Sequence, residues 1–278
     1  MPVTRFDLGR GTSARRPDAL AVEEPLELRV GGSSLVTTMR TPGHDVDLAL
    51  GWLLAEGLLA AADDVAGAMH CTDTDETGAL TFNVLDLTLR AGVPVPDLAG
   101  RRTFGVTSSC GVCGTATVDA VRERVGRDLT GDATRVDVEV LASLPDRLRE
   151  EQAVFTRTGG LHAAGLFTAD GEALVVREDV GRHNATDKVL GWAARERGLP
   201  LPGTVLVLSG RVSFELVQKA WAAGVPVIAA VSAPSSLAVQ TAQDAGITLA
   251  GFVRPPTLNV YTHPDRIDSA SSSATSVG

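Results

Sequence analysis

Apolar and polar positions divide the chain into two textures. Toward the N-terminus, strand-like runs at residues 26–30 and 35–39 flank Gly31-Gly32-Ser33-Ser34, a β-hairpin pattern. Thr41-Pro42-Gly43-His44-Asp45 breaks the second strand, and the apolar spacing over 46–59 predicts a helix with Gly51 inside it. A β-favouring run follows at 80–90. Residues 91–100 are rich in Pro and Gly and mark the boundary between two domains.

Beyond that boundary the pattern becomes regular. Strands at 161–168 and 173–177 surround Asp170-Gly171, a hairpin signal. Next come a helix (184–197), strand (204–209), helix (214–223), strand (225–231), helix (236–245) and strand (247–253). The last three strands are nearly all apolar and alternate with helices, which predicts a buried parallel βαβαβ sheet. The fold class is therefore α/β, with a small α+β domain at 21–98 ahead of a larger α/β domain at 99–267. Residues 1–20 are polar and expected to be loose, and 268–278, mostly Ser and Ala, read as a disordered tail.

Composition narrows the function classes. The chain has 44% hydrophobic and 21% charged residues, ordinary for a soluble globular protein. Its most apolar stretch, 48–62, carries Glu56, and the polar, basic N-terminus does not read as a secretory signal. A cytoplasmic protein without a membrane partner is the expectation. A formal net charge of -9 argues against a general nucleic-acid binder. Of 25 basic residues only Lys188 and Lys219 are lysines, which raises the question of whether each serves as a compact point charge that Arg cannot imitate. Helix positions would let both reach phosphates or pair with Asp187 and Glu215.

Three cysteines do not make a disulfide framework. Cys71 stands alone in a polar, loop-like run. Cys110 and Cys113 form a tight pair in Thr107-Ser108-Ser109-Cys110-Gly111-Val112-Cys113-Gly114, and a helix predicted over 115–125 would place them near its N-terminus, where thiol pKa falls. Such a dithiol can hold and pass on sulfur as a persulfide, or act in redox exchange. A structural zinc site lacks its second ligand pair, so no resident metal is expected. A zinc deaminase is excluded by Ala164 at the position of the required Glu and by the absence of Pro before Cys110.

In parallel sheets ligands gather beyond the carboxyl ends of the strands. Those ends are Ser209-Gly210-Arg211, Ser232-Ala233-Pro234 and Phe252-Val253-Arg254. Small residues plus Arg there suit a phosphate-bearing ligand, and Arg211 and Arg254 are the anion-contact candidates. Arg177-Glu178-Asp179 with Arg182-His183 concentrates charge ahead of a helix, as a binding site or as an ion cluster. His162 reads equally as a pocket group or a core histidine. His44 and His263 have no partner legible in the sequence.

Several motifs in one order resemble the formate dehydrogenase accessory sulfurtransferase (FdhD) family. They are Ser108-Ser109-Cys110-Gly111-Val112-Cys113-Gly114, Gly160-Leu161-His162-Ala163-Ala164, Arg177 through Asn184, Asp187-Lys188, Ser209-Gly210-Arg211, Phe214-Glu215, Gln218-Lys219, Ser232-Ala233-Pro234 and Asn259-Val260-Tyr261-Thr262. Thr41-Pro42-Gly43-His44-Asp45 and Glu56-Gly57 belong to the same pattern. The resemblance implies a homodimeric sulfurtransferase whose larger domain is cytidine-deaminase-like, with a mixed sheet flanked by helices. A cysteine desulfurase would load Cys110 as a persulfide, with Cys113 as helper or second carrier. The cargo would be the bis-molybdopterin guanine dinucleotide molybdenum cofactor of formate dehydrogenase. The family's nucleotide-contacting segment falls on Phe252, Val253, Arg254, Pro255, Pro256 and Thr257, joined as cofactor-contact candidates by Arg211, Lys188 and His183. Here Pro255-Pro256-Thr257 replaces a Gly-Gly-Arg kind of run, which removes two N–H donors. Ser235 stands for a common Thr. A non-catalytic chaperone that carries the molybdenum cofactor is the alternative, and a disulfide oxidoreductase a third reading.

Overall fold

The computed structural model describes residues 1–74, 77–78, 80–96 and 127–269. The cysteine pair, the helix predicted over 115–125 and the tail from 270 lie outside the described residues. Among the described residues no helix is long and apolar enough to cross a membrane.

The N-terminal residues form a hairpin of β1 (Pro2–Asp7) and β2 (Thr12–Pro17), where the sequence predicts a loose segment. Nearly every residue in it is exposed, so cross-strand hydrogen bonding and not a core defines it. A small lobe follows. Strands β3 (Glu24–Val30) and β4 (Ser33–Arg40) make the predicted hairpin, with Gly31 and Gly32 both at positive φ as a tight turn requires. Helix α1 spans Asp45–Ala55. Strands β5 (Val65–Thr74) and β6 (Leu80–Leu89) complete a sheet of order β4-β3-β6-β5. Leu26, Leu28, Val30, Leu85 and Leu87 turn one face toward Leu48, Leu53 and Leu54 of α1. β5 has little apolar alternation and a glycine at 67, which hides it from sequence reading. Cys71, expected in a loop, is a half-buried residue of this edge strand with a free thiol.

The larger lobe opens with β7 (Val136–Asp137), α2 (Val138–Glu150) and a short α3 (Ala153–Thr158). Strands β8 (His162–Thr168) and β9 (Ala173–Asp179) form the second predicted hairpin. Then α4 (Arg182–Arg197), β10 (Thr204–Leu208), α5 (Phe214–Ala223), β11 (Val227–Ala230), α6 (Ser236–Ala245) and β12 (Thr248–Arg254) alternate as expected. Strand β13 (Thr257–Thr262) folds back on β12, and β14 (Ile267–Asp268) pairs with β7. The six-stranded sheet has order β13-β12-β11-β10-β8-β9. Its centre, β10-β11-β12, is parallel, and β8, β9 and β13 make it mixed.

Along β10, Leu206 and Leu208 join the core under α4, α5 and α6, while Val205 and Val207 join the core under Leu141, Leu144 and Leu148 of α2. A strand covered on both faces has no polar side, so it reads as an unbroken apolar run.

The two lobes meet where α1 crosses α4. A Cβ on Gly51 would strike the Asp187 carbonyl, and one on Gly191 the Asp47 carbonyl, so backbones touch where side chains would normally separate them. Around this crossing the joint is ionic. Arg40 makes two bonds of 3.1 Å to the Asp45 carboxylate, both residues buried. Asp47 receives Arg195 at 2.9 Å and Arg177 at 3.6 Å. Asp179, fully buried, meets Lys188 Nζ at 2.6 Å and accepts from the backbone N–H of Thr41 and Gly181 and from the Asn184 amide. Its oxygens are saturated, as burial of a carboxylate demands.

Candidate functional site

The carboxyl ends of β10, β11 and β12 are tied into one row. After β10, Ser209 extends the ladder to β8: its N–H donates to the Ala163 carbonyl and its Oγ accepts from the Ala163 N–H. Val212 N–H donates to the Ala233 carbonyl, and Ser235 N–H donates to the Val212 carbonyl, stapling the loop after β10 to the loop after β11. Phe252 N–H donates to the Ser232 carbonyl and brings in β12. The ends of β10 and β12 are therefore two strand spacings apart, about 10 Å.

A cluster of polar side chains sits at the β10 end of this row. His162, the first residue of β8, is half-buried with Nδ1 3.5 Å from where a Cβ on Gly210 would lie. Arg182 and His183 open α4, whose N-cap is Gly181 and makes no side-chain cap bond. Ser213 and Glu215 open α5. His183 Nε2 is 3.2 Å from Ser213 Oγ and 3.5 Å from Glu215 Oε2. The His183 bond, with help from Ser213 and against burial, lowers Glu215 to a pKa of about 2. Burial pushes His162 below the ordinary histidine value, and the neighbouring charges of Arg182 and His183 push it further. Arg182 Nε is buried with no hydrogen-bond partner among the described residues. Arg182 and two histidines are thus gathered at one point of an acidic chain.

The remaining cofactor-contact candidates distribute unevenly. Arg211 and Arg254 are exposed at the ends of β10 and β12, open to an anion. Phe252 is 41% exposed and held at φ 51, an uncommon conformation for a residue with a Cβ. Val253 points the other way, fully buried in the core beneath α2, so no side-chain contact to a ligand is open to it. Pro255 and Pro256 form the exposed turn between β12 and β13, and Thr257 begins the return strand. Lys188 is 1% exposed and bonded to Asp179 and the Thr41 carbonyl. Its ammonium is committed to the joint between the lobes and does not face the strand ends. Lys219 likewise bonds Asp187, at 2.7 and 2.9 Å; burial raises the Asp187 pKa and Lys219 opposes the rise.

Sequence reasoning missed the partnership of His183 with Ser213 and Glu215. The residues stand about thirty positions apart and meet only because α4 and α5 pack side by side. His44 and His263 also find neighbours: His44 Nδ1 is 3.9 Å from Asp47, and His263 Nε2 is 3.0 Å from the Gln243 carbonyl. Among the described residues no group of three or more His, Cys, Asp or Glu is arranged to hold a metal ion.

Comparison with known proteins gives one consistent result. A sequence model of the FdhD/NarQ family matches residues 21–268. The sulfur carrier protein FdhD of Mycolicibacterium paratuberculosis is 54% identical over 260 residues, covering 94% of this chain and 96% of that protein. The protein of the same name from Streptomyces coelicolor is 53% identical over 258 residues, covering 92% of each. A crystal structure from Desulfotalea psychrophila, described as that of a formate dehydrogenase accessory protein, superposes with a TM-score of 0.73 at 21% identity, covering 96% of this chain and 98% of that one. At that identity the likeness speaks for the fold.

Proposed function

The chain belongs to the FdhD/NarQ family, and from that premise we propose that it is a sulfur carrier in formate dehydrogenase maturation. The observation that carries the reading is high identity along almost the whole length to proteins named sulfur carrier protein FdhD, combined with the Cys110-Gly111-Val112-Cys113 pair of this sequence. In the loading step the Cys110 thiolate attacks the terminal sulfur of a cysteine desulfurase persulfide. The desulfurase S–S bond breaks, its thiolate leaves, and Cys110 keeps the sulfur as a persulfide. Cys113 is the helper thiol: its thiolate attacks the inner sulfur of the Cys110 persulfide. The outer sulfur leaves as sulfide for the bis-molybdopterin guanine dinucleotide molybdenum cofactor, which is cargo and not a resident group. The Cys110–Cys113 disulfide left behind is reduced by a small thiol before the next cycle.

The strand-end row supports the cargo side of this reading. Arg211 and Arg254 supply positive charge and His183 a hydrogen-bonding ring where open α/β sheets take ligands, and the exposed Phe252 offers an aromatic face. Lys188 and Val253 contribute through the fold: one closes the joint between lobes, the other anchors β12. The cytidine-deaminase-like relationship of the larger lobe, the homodimer and the cytoplasmic setting belong to the same proposal.

Intact mass spectrometry after incubation with a cysteine desulfurase and cysteine tests it. A gain of one sulfur, about 32 Da, removed by reductant and absent in Cys110→Ala, is the expected result. Wild-type protein with free thiols that never gains sulfur would overturn the carrier and leave the cofactor-binding chaperone in its place.

A further inference from the structure

Serine is a preferred helix N-cap because its oxygen accepts a bond from a free N–H of the first turn. Ser213 occupies that position on α5 and makes no such bond. Its Oγ stands instead beside His183 Nε2, at 3.2 Å. Glu215 places Oε2 3.5 Å from the same nitrogen. Two groups at the head of α5 therefore converge on one atom of a side chain at the head of α4.

We propose that Glu215 is a positioning residue: with Ser213 it orients the His183 ring at the strand-end row, where His183 and Arg182 take a phosphate group of an anionic cargo. The identity of that anion as the dinucleotide cofactor rests on the sulfur-carrier reading; the roles of Glu215 and His183 do not.

The surrounding charges favour this over a plain brace between helices. Arg182 precedes His183 on α4, and His162 faces the pair from β8. Asp187, one turn further along α4, is bonded to Lys219 of α5, and Asp179 at the end of β9 is bonded to Lys188. Glu215 is thus the carboxylate paired with His183 among the described residues. A brace needs one donor. Here Arg182 and the two histidines His162 and His183 gather at one point, and Arg182 keeps a buried Nε without a partner among the described residues. An arriving anion would accept from these donors. Glu215 stays ionised throughout the working range, since its pKa is held at about 2.

The test is calorimetric titration of the full chain with inorganic pyrophosphate at about pH 6, 7 and 8, which spans the ordinary histidine range. Comparing variants at each pH cancels the probe's own titration. In Glu215→Gln, binding is expected to weaken roughly tenfold at neutral pH, the scale of one charge-assisted hydrogen bond. Glu215→Asp, which keeps the charge on a shorter arm, recovers part of the affinity and guards against a Gln variant that fails to fold. Equal affinity of wild type and Glu215→Gln at every pH, or no pyrophosphate binding by wild type, would overturn the proposal. Sulfur uptake by Cys110 is read separately. Wild type that binds pyrophosphate more tightly than Glu215→Gln but never takes up sulfur refutes the carrier and leaves Glu215 in its role. Sulfur uptake with no effect of Glu215→Gln on binding does the reverse.

Discussion

Lys188 shows how a residue can stand out in the sequence while its partner stays hidden. Its rarity as a lysine in an arginine-rich chain is visible in the sequence, and so is its place on a helix. Its target is not visible. The ammonium lies against a fully buried carboxylate on another element, Asp179, and reaches back to the Thr41 carbonyl of the small lobe. A planar guanidinium would need more room and would leave donors unpaired there, which accounts for lysine. Removing one partner of a buried pair strands the other charge, so Lys188→Met is expected to cost about 3–5 kcal/mol of folding stability. The double variant Lys188→Met with Asp179→Asn should recover part of that loss, because no unpaired charge remains. Chemical denaturation of the two variants beside wild type measures it. A stable Lys188→Met protein that had lost only anion binding would restore the lysine to the site.

At the level of elements, most of the framework is legible from periodicity alone. Strands β3, β4, β6, β8, β9, β10, β11 and β12 and helices α1, α5 and α6 carry apolar patterns, the more polar α4 is placed by the strands on either side of it, and the parallel pairing of β10, β11 and β12 follows from their alternation with helices. The gaps have physical reasons. In α2 the stripe Leu141, Leu144 and Leu148 has helical spacing, and Asp137 caps two first-turn N–H groups, but Pro145 inside the helix obscures the pattern. β13 has its period-two alternation in plain view, with Leu258 and Val260 sheltered and Asn259 and Tyr261 exposed, yet its sequence draws attention as a motif and not as a strand. The crossing of α1 and α4 is the least legible feature, since a glycine inside a helix reads as a weakness. Gly51 and Gly191 are instead the contact. Either Gly→Ala substitution raises intrinsic helix propensity and is nevertheless expected to destabilise the protein by about 3 kcal/mol or more, the upper range of overpacking. The thermal midpoint reports it; an increase would show that the helices have space to part.

For the molecule as a whole, the question is whether the composition break at 91–100 is also a break in stability. A chain of this length commonly divides into domains that unfold separately. The joint described above argues against it. α1 takes its apolar cover from the small sheet, but its other side lies on the backbone of α4, and the contacts of Asp47 with Arg195 and Arg177, of the Thr41 N–H with Asp179 and of Lys188 with the Thr41 carbonyl are made only with both lobes in place. Separating the lobes would expose apolar helix surface and leave buried charges to find water at once. The strand-end row shares in this, since Asp179 and Asn184, which tie the start of α4 to Thr41 and Met39, lie beside Arg182 and His183. Local opening of the joint would therefore loosen the head of α4 as well. The three tryptophans provide the test, because Trp52 belongs to α1 and Trp221 is buried beneath the large sheet. In variants that retain only Trp52 or only Trp221, urea unfolding followed by fluorescence should give the same midpoint and the same slope, as one cooperative transition requires. An earlier midpoint for Trp52 would mean that the small lobe melts on its own, and that the ionic joint holds the two lobes in register without binding them into a single folding unit.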